Sequence, residues 1–334
     1  MAVQLALDIG TSQTRLAFAD GSAFVAEESV VAIDTRDGEV VDVGSGAWRL
    51  VSRSPRHVVT FRPQANGTTV DFDVAARLIR AVFDRARVGR FSRVHATMSV
   101  PALATSIERR ALRQAAMQAG ASEVTLIEAP IAAAVGAGLA VEDPIASPVI
   151  VLGAGVSETA LMSLGGIVTH RSVRIGGHHL DVDIATALRQ HLGVVVAPHV
   201  AASIKRDLAA FGPQSQGGLV VVPARTVDRG QAVSVEVRSE LVEMAIRDHV
   251  RSIIRSVQEC LGDAPPDLAQ DVALRGMTMV GGMSRMRGID QLIASEVGVA
   301  CNVLEEPDLT VLRGLLRCVN EVGRLRRTMR SLVD

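Results

Sequence analysis

Two short apolar bursts, each broken by a glycine turn, stand out along the chain. Residues 3–20 read VQLALDIG, TSQT, RLAFAD, and residues 149–164 read VIVLGAG, VSE, TALMSL. Each pattern predicts a strand, a tight hydroxyl-bearing turn and a second strand paired back on the first. Two such hairpins about 140 residues apart predict a duplicated unit, one copy in each half. Helical periodicity follows each hairpin. Residues 74–87 place Val74, Leu78, Ile79 and Val82 on one face, and residues 108–119 do the same with Ala111, Leu112, Ala115 and Ala116. Segments 180–192, 201–209 and 239–261 predict further helices. The acidic, proline-bearing stretch AVEDPIASP at 140–148 is a natural crossing between halves, and the loop GPQSQGG at 212–218 precedes a strand-rich insert at 219–237. The alternation predicts an α/β fold with a mixed sheet in each half.

Composition narrows the function. A chain of 334 residues is long for one core and fits two domains. Its apolar fraction of 48 % and charged fraction of 21 % are those of an ordinary globular protein. A formal net charge of −1 argues against nucleic-acid binding through excess positive charge. The scarcity of aromatics, at 2 % with no Tyr and Trp48 the sole tryptophan, argues against a base-stacking platform. Cys260, Cys301 and Cys318 have no metal-ligand spacing and suit a reducing compartment. No basic leader precedes Asp8 and no apolar run reaches bilayer length, so a cytosolic or peripheral protein is expected. Lys205 is the sole lysine. It follows Ile204, which rules out a Walker A loop, and its surroundings match no protein-kinase lysine.

Four stretches could converge on one nucleotide. In the first, Asp8, Gly10, Thr11, Ser12 and Gln13 combine a carboxylate for hydrated Mg²⁺ with backbone amides and hydroxyls for phosphate. The second is the matching turn, Gly153, Gly155, Val156 and Ser157. The third is Gly281–Gly282, where a backbone lacking Cβ can lie against a base, and the fourth is Lys205, whose ammonium could reach a ribose or base. GAGVSE at 153–158 imitates a dinucleotide fingerprint, but it lacks the third glycine and Gly165–Gly166 arrives too soon for the helix that motif requires.

With these motifs in place the chain resembles the MreB family of bacterial actin homologues, within the actin, Hsp70 and sugar-kinase superfamily. The resemblance rests on DIGTSQT at Asp8, FRPQANGTTVDFDV at 61–74 and VPALATSIERRALRQAAMQAGASEVTLIEAPIAAAVGAGL at 100–139. SLGGIVTHRSVRIGG from Ser163, APPDLAQDVALRGMTMVGGMSRMRGID from Ala264 and EEPDLTVLRG from Glu305 complete it. It implies an actin-like fold with domain I over residues 1–143, domain II over 144–310 with an insert at about 205–260, and a C-terminal helix at 311–334 returning to domain I. It also implies ATP and Mg²⁺ in the cleft, Thr11, Ser12 and Gln13 on the phosphates, Asp8 on the metal through water, and Glu108 orienting the attacking water. The ribose and base would meet Ala202, Ser203, Ile204 and Lys205, together with Gly281, Gly282, Met283 and Ser284.

Several positions depart from the family pattern. The family's second phosphate motif, Asp-Ile-Gly-Gly-Gly-Thr-Thr, is here Val151-Leu152-Gly153-Ala154-Gly155-Val156-Ser157. Ala-Glu-Arg-Ile-Lys becomes Ala201-Ala202-Ser203-Ile204-Lys205, the third glycine under the base becomes Met283, and Gly-Gly-Asp-Lys becomes Gly176-Gly177-His178-His179. Losing a carboxylate from a metal site removes charge that valine cannot replace, so weak or absent hydrolysis is expected. The cluster His178, His179, Asp181 and Asp183 reads as a helix start capped by Asp181 or a neighbour rather than as a metal site. The loop 85–93 matches the family's membrane loop, with Val88 and Phe91 placed to insert and Arg85, Arg87, Arg90 and Arg93 to meet anionic lipid. The Arg-rich end at 324–330 reads as a solvated helix face. The whole predicts a filament subunit, acting with itself or other MreB-type subunits. Its other partners would be the inner membrane surface and the cell-wall synthesis machinery. The alternative is a non-polymerising pseudo-ATPase adaptor on the same fold. An active sugar or acid kinase would need an acid where Val151 stands.

Overall fold

The computed structural model describes residues 2–89, 92–212 and 217–328, with backbone alone for 321–328. Phe91 and Arg90, the middle of the 212–218 loop and the side chains of the Arg-rich end lie outside the described residues.

The first half begins with β1 (Val3–Ile9), β2 (Gln13–Phe18) and β3 (Phe24–Glu28). A small sheet follows, of β4 (Val31–Asp34), β5 (Val40–Val43) and β6 (Val58–Phe61), with α1 (Ser45–Leu50) packed on it. The ribbon β7 (Gln64–Ala65) and β8 (Thr68–Thr69) leads to α2 (Phe72–Arg85), β9 (Val94–Val100), α3 (Ser106–Gln118), β10 (Glu123–Glu128) and α4 (Ala129–Ala137). The second half starts with β11 (Ser147–Leu152), β12 (Ser157–Ser163), β13 (Gly166–Val173) and α5 (Gly177–Leu192). There follow β14 (Val194–Val195), α6 (Pro198–Leu208), β15 (Leu219–Thr226) and β16 (Ala232–Arg238), the three strands forming a small sheet of their own, then α7 (Ser239–Gly262) and α8 (Pro266–Arg275). The chain ends through β17 (Met277–Val280), α9 (Ile289–Val297), β18 (Cys301–Val303) and α10 (Thr310–Thr328).

The duplication is visible in strand order. The first sheet runs β3-β2-β1-β9-β10 and the second β13-β12-β11-β17-β18, so each opens with an antiparallel meander and adds two parallel strands after helical crossovers. Strand alternation then divides the side chains between layers. Leu5 and Leu7 of β1 join an outer core with Ile79, Phe83 and Leu112, whereas Ala6 faces inward. In β11, Ile150 and Leu152 join the outer core of the second half, and Val149 and Val151 face inward. Between the sheets lies a shared cluster completed by α4 and α10, including Ile131, Ala132, Leu312 and Leu315. Helix α10 thus returns to the first half, packing on α4 and on β1, β2 and β9. The two helices touch backbone to backbone: a Cβ on Gly136 would lie 2.9 Å from Gly314 N, and one on Gly314 would overlap Ala132 O.

The end of α2 corrects the expectation for Val88. Helix α2 closes with Val88 N–H donating to Phe83 O (2.9 Å) and Arg87 N–H to Asp84 O (3.1 Å), with Arg87 at φ 57. This is a Schellman closure, in which the residue after the left-handed position folds back on the helix. Val88 is accordingly buried in the outer core and is not presented to a membrane. Arg85 is also engaged, 2.8 Å from Glu27 and donating to Val43 O.

Candidate functional site

The two glycine turns meet at the mouth of a cavity of about 540 Å³ between the sheets. Their local geometry is the same. Gly10 N–H donates to Gln13 O at 3.0 Å and Gly153 N–H to Val156 O at 3.0 Å, and a Cβ at either glycine would press on that carbonyl. Across the gap, a Cβ on Gly155 would overlap Thr11 Oγ1, so glycine is what lets the turns approach.

The cavity is lined by Asp8, Gly10, Thr11, Ser12, Gln13, Glu108, Gly153, Gly155, Val156, Ala202, Lys205, Gly281, Gly282 and Met283, so most of the expected residues converge. Four do not reach it. Ser157 is buried and its hydroxyl donates to Ile175 O, because strand alternation turns Glu158 rather than Ser157 to the cavity. On α6 the cavity face carries Ala202, Lys205 and Arg206, a helical spacing that sends Ile204 into the core and Ser203 onto Val200 O. Ser284 Oγ donates to Val280 O and is likewise buried. Gly281 abuts Leu152, while Gly282 has open space where a Cβ would sit.

Charge is arranged in three groups. At the glycine-turn end, Asp8 Oδ1 accepts from Ser99 Oγ (2.6 Å) and Oδ2 lies 3.9 Å from Arg15 Nη1. Burial pushes the Asp8 carboxyl above its ordinary range, against the pull of Ser99 and Arg15. Arg15 also reaches Gln13 Oε1 (2.6 Å) and Asp308 Oδ2 (3.3 Å). At the far end, Lys205 Nζ pairs with Asp181 Oδ1 (2.7 Å) and donates to Gly177 O (2.5 Å). Burial lowers the lysine and raises the aspartate, each restrained by the other's charge. Asp181 is therefore an ion-pair partner and not a helix cap. The α5 start at Gly176 is held instead by His179, whose Nδ1 accepts the Gly176 N–H (3.1 Å). His178 lines the cavity, its imidazolium disfavoured by burial and then by Arg62, and Asp183 pairs with His249. At the side wall, burial pushes Glu108 up, but Thr105 and Arg174 outweigh it and hold the carboxyl below its ordinary range. Thr105 N–H donates to Glu108 at 2.7 Å in a capping box, and Arg174 reaches it from the second half at 3.2 Å.

The sequence reading missed Arg15, Glu158, Arg62 and Asp308. The first two follow from register, since Asp8 pairs with Arg15 and Val151 with Glu158. Glu158 is buried and accepts from the Ala102 N–H (2.9 Å), linking the halves. Arg62 donates to Thr11 O (2.9 Å) and stacks 5.0 Å from the Trp48 ring.

The match to the MreB/Mbl protein family spans residues 2–327. The chain belongs to the MreB/Mbl family. It is 35 % identical over 317 residues to the cell shape-determining protein MreB of Escherichia coli K12, covering 93 % of this chain and 91 % of that one. It is 31 % identical over 304 residues to the cell shape-determining protein Mbl of Bacillus subtilis, covering 91 % of each. Among solved structures, MreB5 of Spiroplasma citri bound to AMPPNP superposes with a TM-score of 0.91 at 24 % identity, over 97 % of this chain and 98 % of that one. The MamK double helical filament superposes with a TM-score of 0.81 at 21 % identity, over 96 % and 99 %. The actin-like fold and the membership in a cell-shape cytoskeletal family are thereby established.

The fold implies a divalent cation at the first glycine turn, and the residues here do not fit one. Asp8 is the sole carboxylate on its strand, its charge is disfavoured by burial, and a guanidinium stands beside it. The strand position that would oppose it carries Val151. Among the described residues, no three His, Cys, Asp or Glu side chains form a ligand group.

Proposed function

We propose that this MreB/Mbl chain is an ATP-binding subunit of a cell-shape filament, and that it hydrolyses the nucleotide slowly. The observation that carries this reading is the cavity between two matched glycine turns, lined by the turn residues Thr11, Ser12 and Gly155 at one end and by the open Gly282 backbone beside Met283 at the other. The phosphates belong at Gly10–Gln13 and Gly153–Val156, and the nucleoside toward Lys205, Asp181 and Met283. In this reading residues 1–143 and 144–310 are the two domains that the nucleotide bridges, and the segment beginning at 311 is the one returning to the first. The nucleotide-bound MreB5 structures and the MamK double helical filament, both of the same fold, support nucleotide binding and filament formation, and in this reading growth is head-to-tail, a contact that extends without closing. Slow hydrolysis rests on Glu108, whose carboxylate is committed to Thr105 and Arg174, and on Val151. The filament works at the inner membrane face beside the cell-wall synthesis machinery. Among the described residues, no helix is long and apolar enough to cross a membrane.

Negative-stain electron microscopy of the purified protein on anionic lipid monolayers, with and without ATP, tests this. Filaments on the lipid are the expected result. Bare monolayers in both conditions would identify a non-polymerising adaptor instead. Phosphate release is expected to be slow and insensitive to Glu108→Gln; fast release abolished by that change would refute the hydrolysis reading.

A further inference from the structure

We propose that Arg15 is the built-in counter-ion of the phosphate site, so that nucleotide binding by this chain does not depend on a divalent cation. The proposal rests on the nucleotide reading above.

The argument starts from the two hairpins. Asp8 and Val151 each lie two residues before the turn glycine, and Arg15 and Glu158 each lie five after it. Register pairs Asp8 with Arg15 in one hairpin and Val151 with Glu158 in the other. The positions that are symmetric in backbone thus hold an acid beside a base in the first hairpin, and an apolar residue beside an acid in the second. The second acid is already committed, to the Ala102 N–H and to His170 (3.3 Å). No pair of free carboxylates therefore faces the phosphate turns to gather a hydrated metal.

A cation is nonetheless present. The Arg15 side chain is only 14 % exposed, lines the cavity, and is held there through Nη2 by Gln13 Oε1 and Asp308 Oδ2. Asp308 is itself fixed by Arg285 Nε at 3.0 Å, so the second support does not depend on Arg15. Asp8 sits at 3.9 Å, beyond hydrogen-bond distance, so the Arg15 edge facing it is not spent on a direct bond. A guanidinium carries five N–H donors in a planar fork that matches two phosphate oxygens at once. Holding that fork on two side chains removes the rotamer cost that a free arginine would meet on binding. A divalent ion placed beside Asp8 would be repelled by the same guanidinium.

The test is a titration of the full chain with ATP, in EDTA and in excess Mg²⁺, read by calorimetry. The dissociation constants in the two buffers should agree within about threefold. Arg15→Leu should weaken binding in EDTA by about tenfold or more, the loss of a charge-assisted contact, while Arg15→Lys retains most of it. Thermal unfolding of each variant confirms folding. Wild-type binding that falls tenfold or more in EDTA overturns the proposal while leaving the nucleotide reading intact, and this comparison needs no variant. Arg15→Leu binding like wild type in EDTA also overturns it. Absence of binding in both buffers overturns the nucleotide reading and the proposal together.

Discussion

Replacing Gly314 with alanine sets two known effects against each other at one atom. Alanine is favoured over glycine in a helix interior by about 1 kcal/mol, so propensity alone predicts stabilisation of α10. The structure predicts the reverse. The added methyl would overlap Ala132 O and lie 2.9 Å from Gly136 N, where ordinary contact needs 3.4–4 Å. Both obstacles are backbone atoms of α4, so no rotamer change can yield, and the helices must separate. A gap of about 1 Å forfeits a quarter to a half of the dispersion at each contact it opens. Those contacts include Leu312, Leu315 and Cys318, all buried in the cluster between the sheets. Overpacking of this kind costs about 1–3 kcal/mol, and an obstacle that cannot move belongs at the upper end. The net expectation is a loss of about 2 kcal/mol after the propensity gain. Urea unfolding followed by circular dichroism measures it. Gly262→Ala is the control: that glycine closes α7 with nothing within 4 Å of its Cβ position, so the same change there should be neutral or stabilising. A Gly314→Ala protein as stable as wild type, or more so, would refute the close-contact argument.

Lys205→Met should destabilise by about 3 kcal/mol at neutral pH, because it leaves Asp181 charged and mostly buried without a partner. The Asp181 carboxyl is already raised, so the deficit grows as pH rises through its titration and shrinks in acid; adding Asp181→Asn should recover much of the loss, and urea titrations at several pH values would show whether it does. Arg109→Ala should cost about 2 kcal/mol, since Arg109 bonds Glu128 at 2.6 Å and the carbonyls of Ala102 and Ala104; protease susceptibility of the 101–105 loop should rise with it, and an unchanged digestion pattern would count against that role. Burial and then Asp290 push the Cys301 thiol up to about 11. Its alkylation by iodoacetamide at pH 8.5 should therefore be roughly a hundredfold slower than that of an ordinary thiol, with stability intact below pH 9 and lost as pH climbs toward 11. Mass spectrometry of a labelling time course decides it.

The elements were legible wherever a strong local pattern carried them. The paired glycine turns appear where the hairpins were expected, and α2, α3, α5, α6 and α7 start within three residues of the predicted segments. The β4–β6 sheet was missed because its strands are four residues long, too short to show alternation. Site residues divide along the same line. Backbone-lined positions follow directly from the turns, but Arg15 and Glu158 depend on which strand face meets the cavity, a property of register. Ser157, Ser203, Ile204 and Ser284 were carried along by adjacency in motifs although strand or helix period turns them away. Val88 was misread because an arginine, not glycine, occupies the left-handed position that folds it inward.

Asp308, two residues ahead of α10, touches Arg15 at the glycine-turn end of the cavity, and α10 is locked to α4 by glycines that permit no slack. A change of charge beside Arg15 therefore pulls on the end of a stiff rod rather than on a loose loop. Small displacements of the Arg15–Asp308 contact would be delivered along the length of that rod to its far end, outside the cavity. The charge balance at one end of the cavity and the packing of α10 against α4 thus form one mechanical unit.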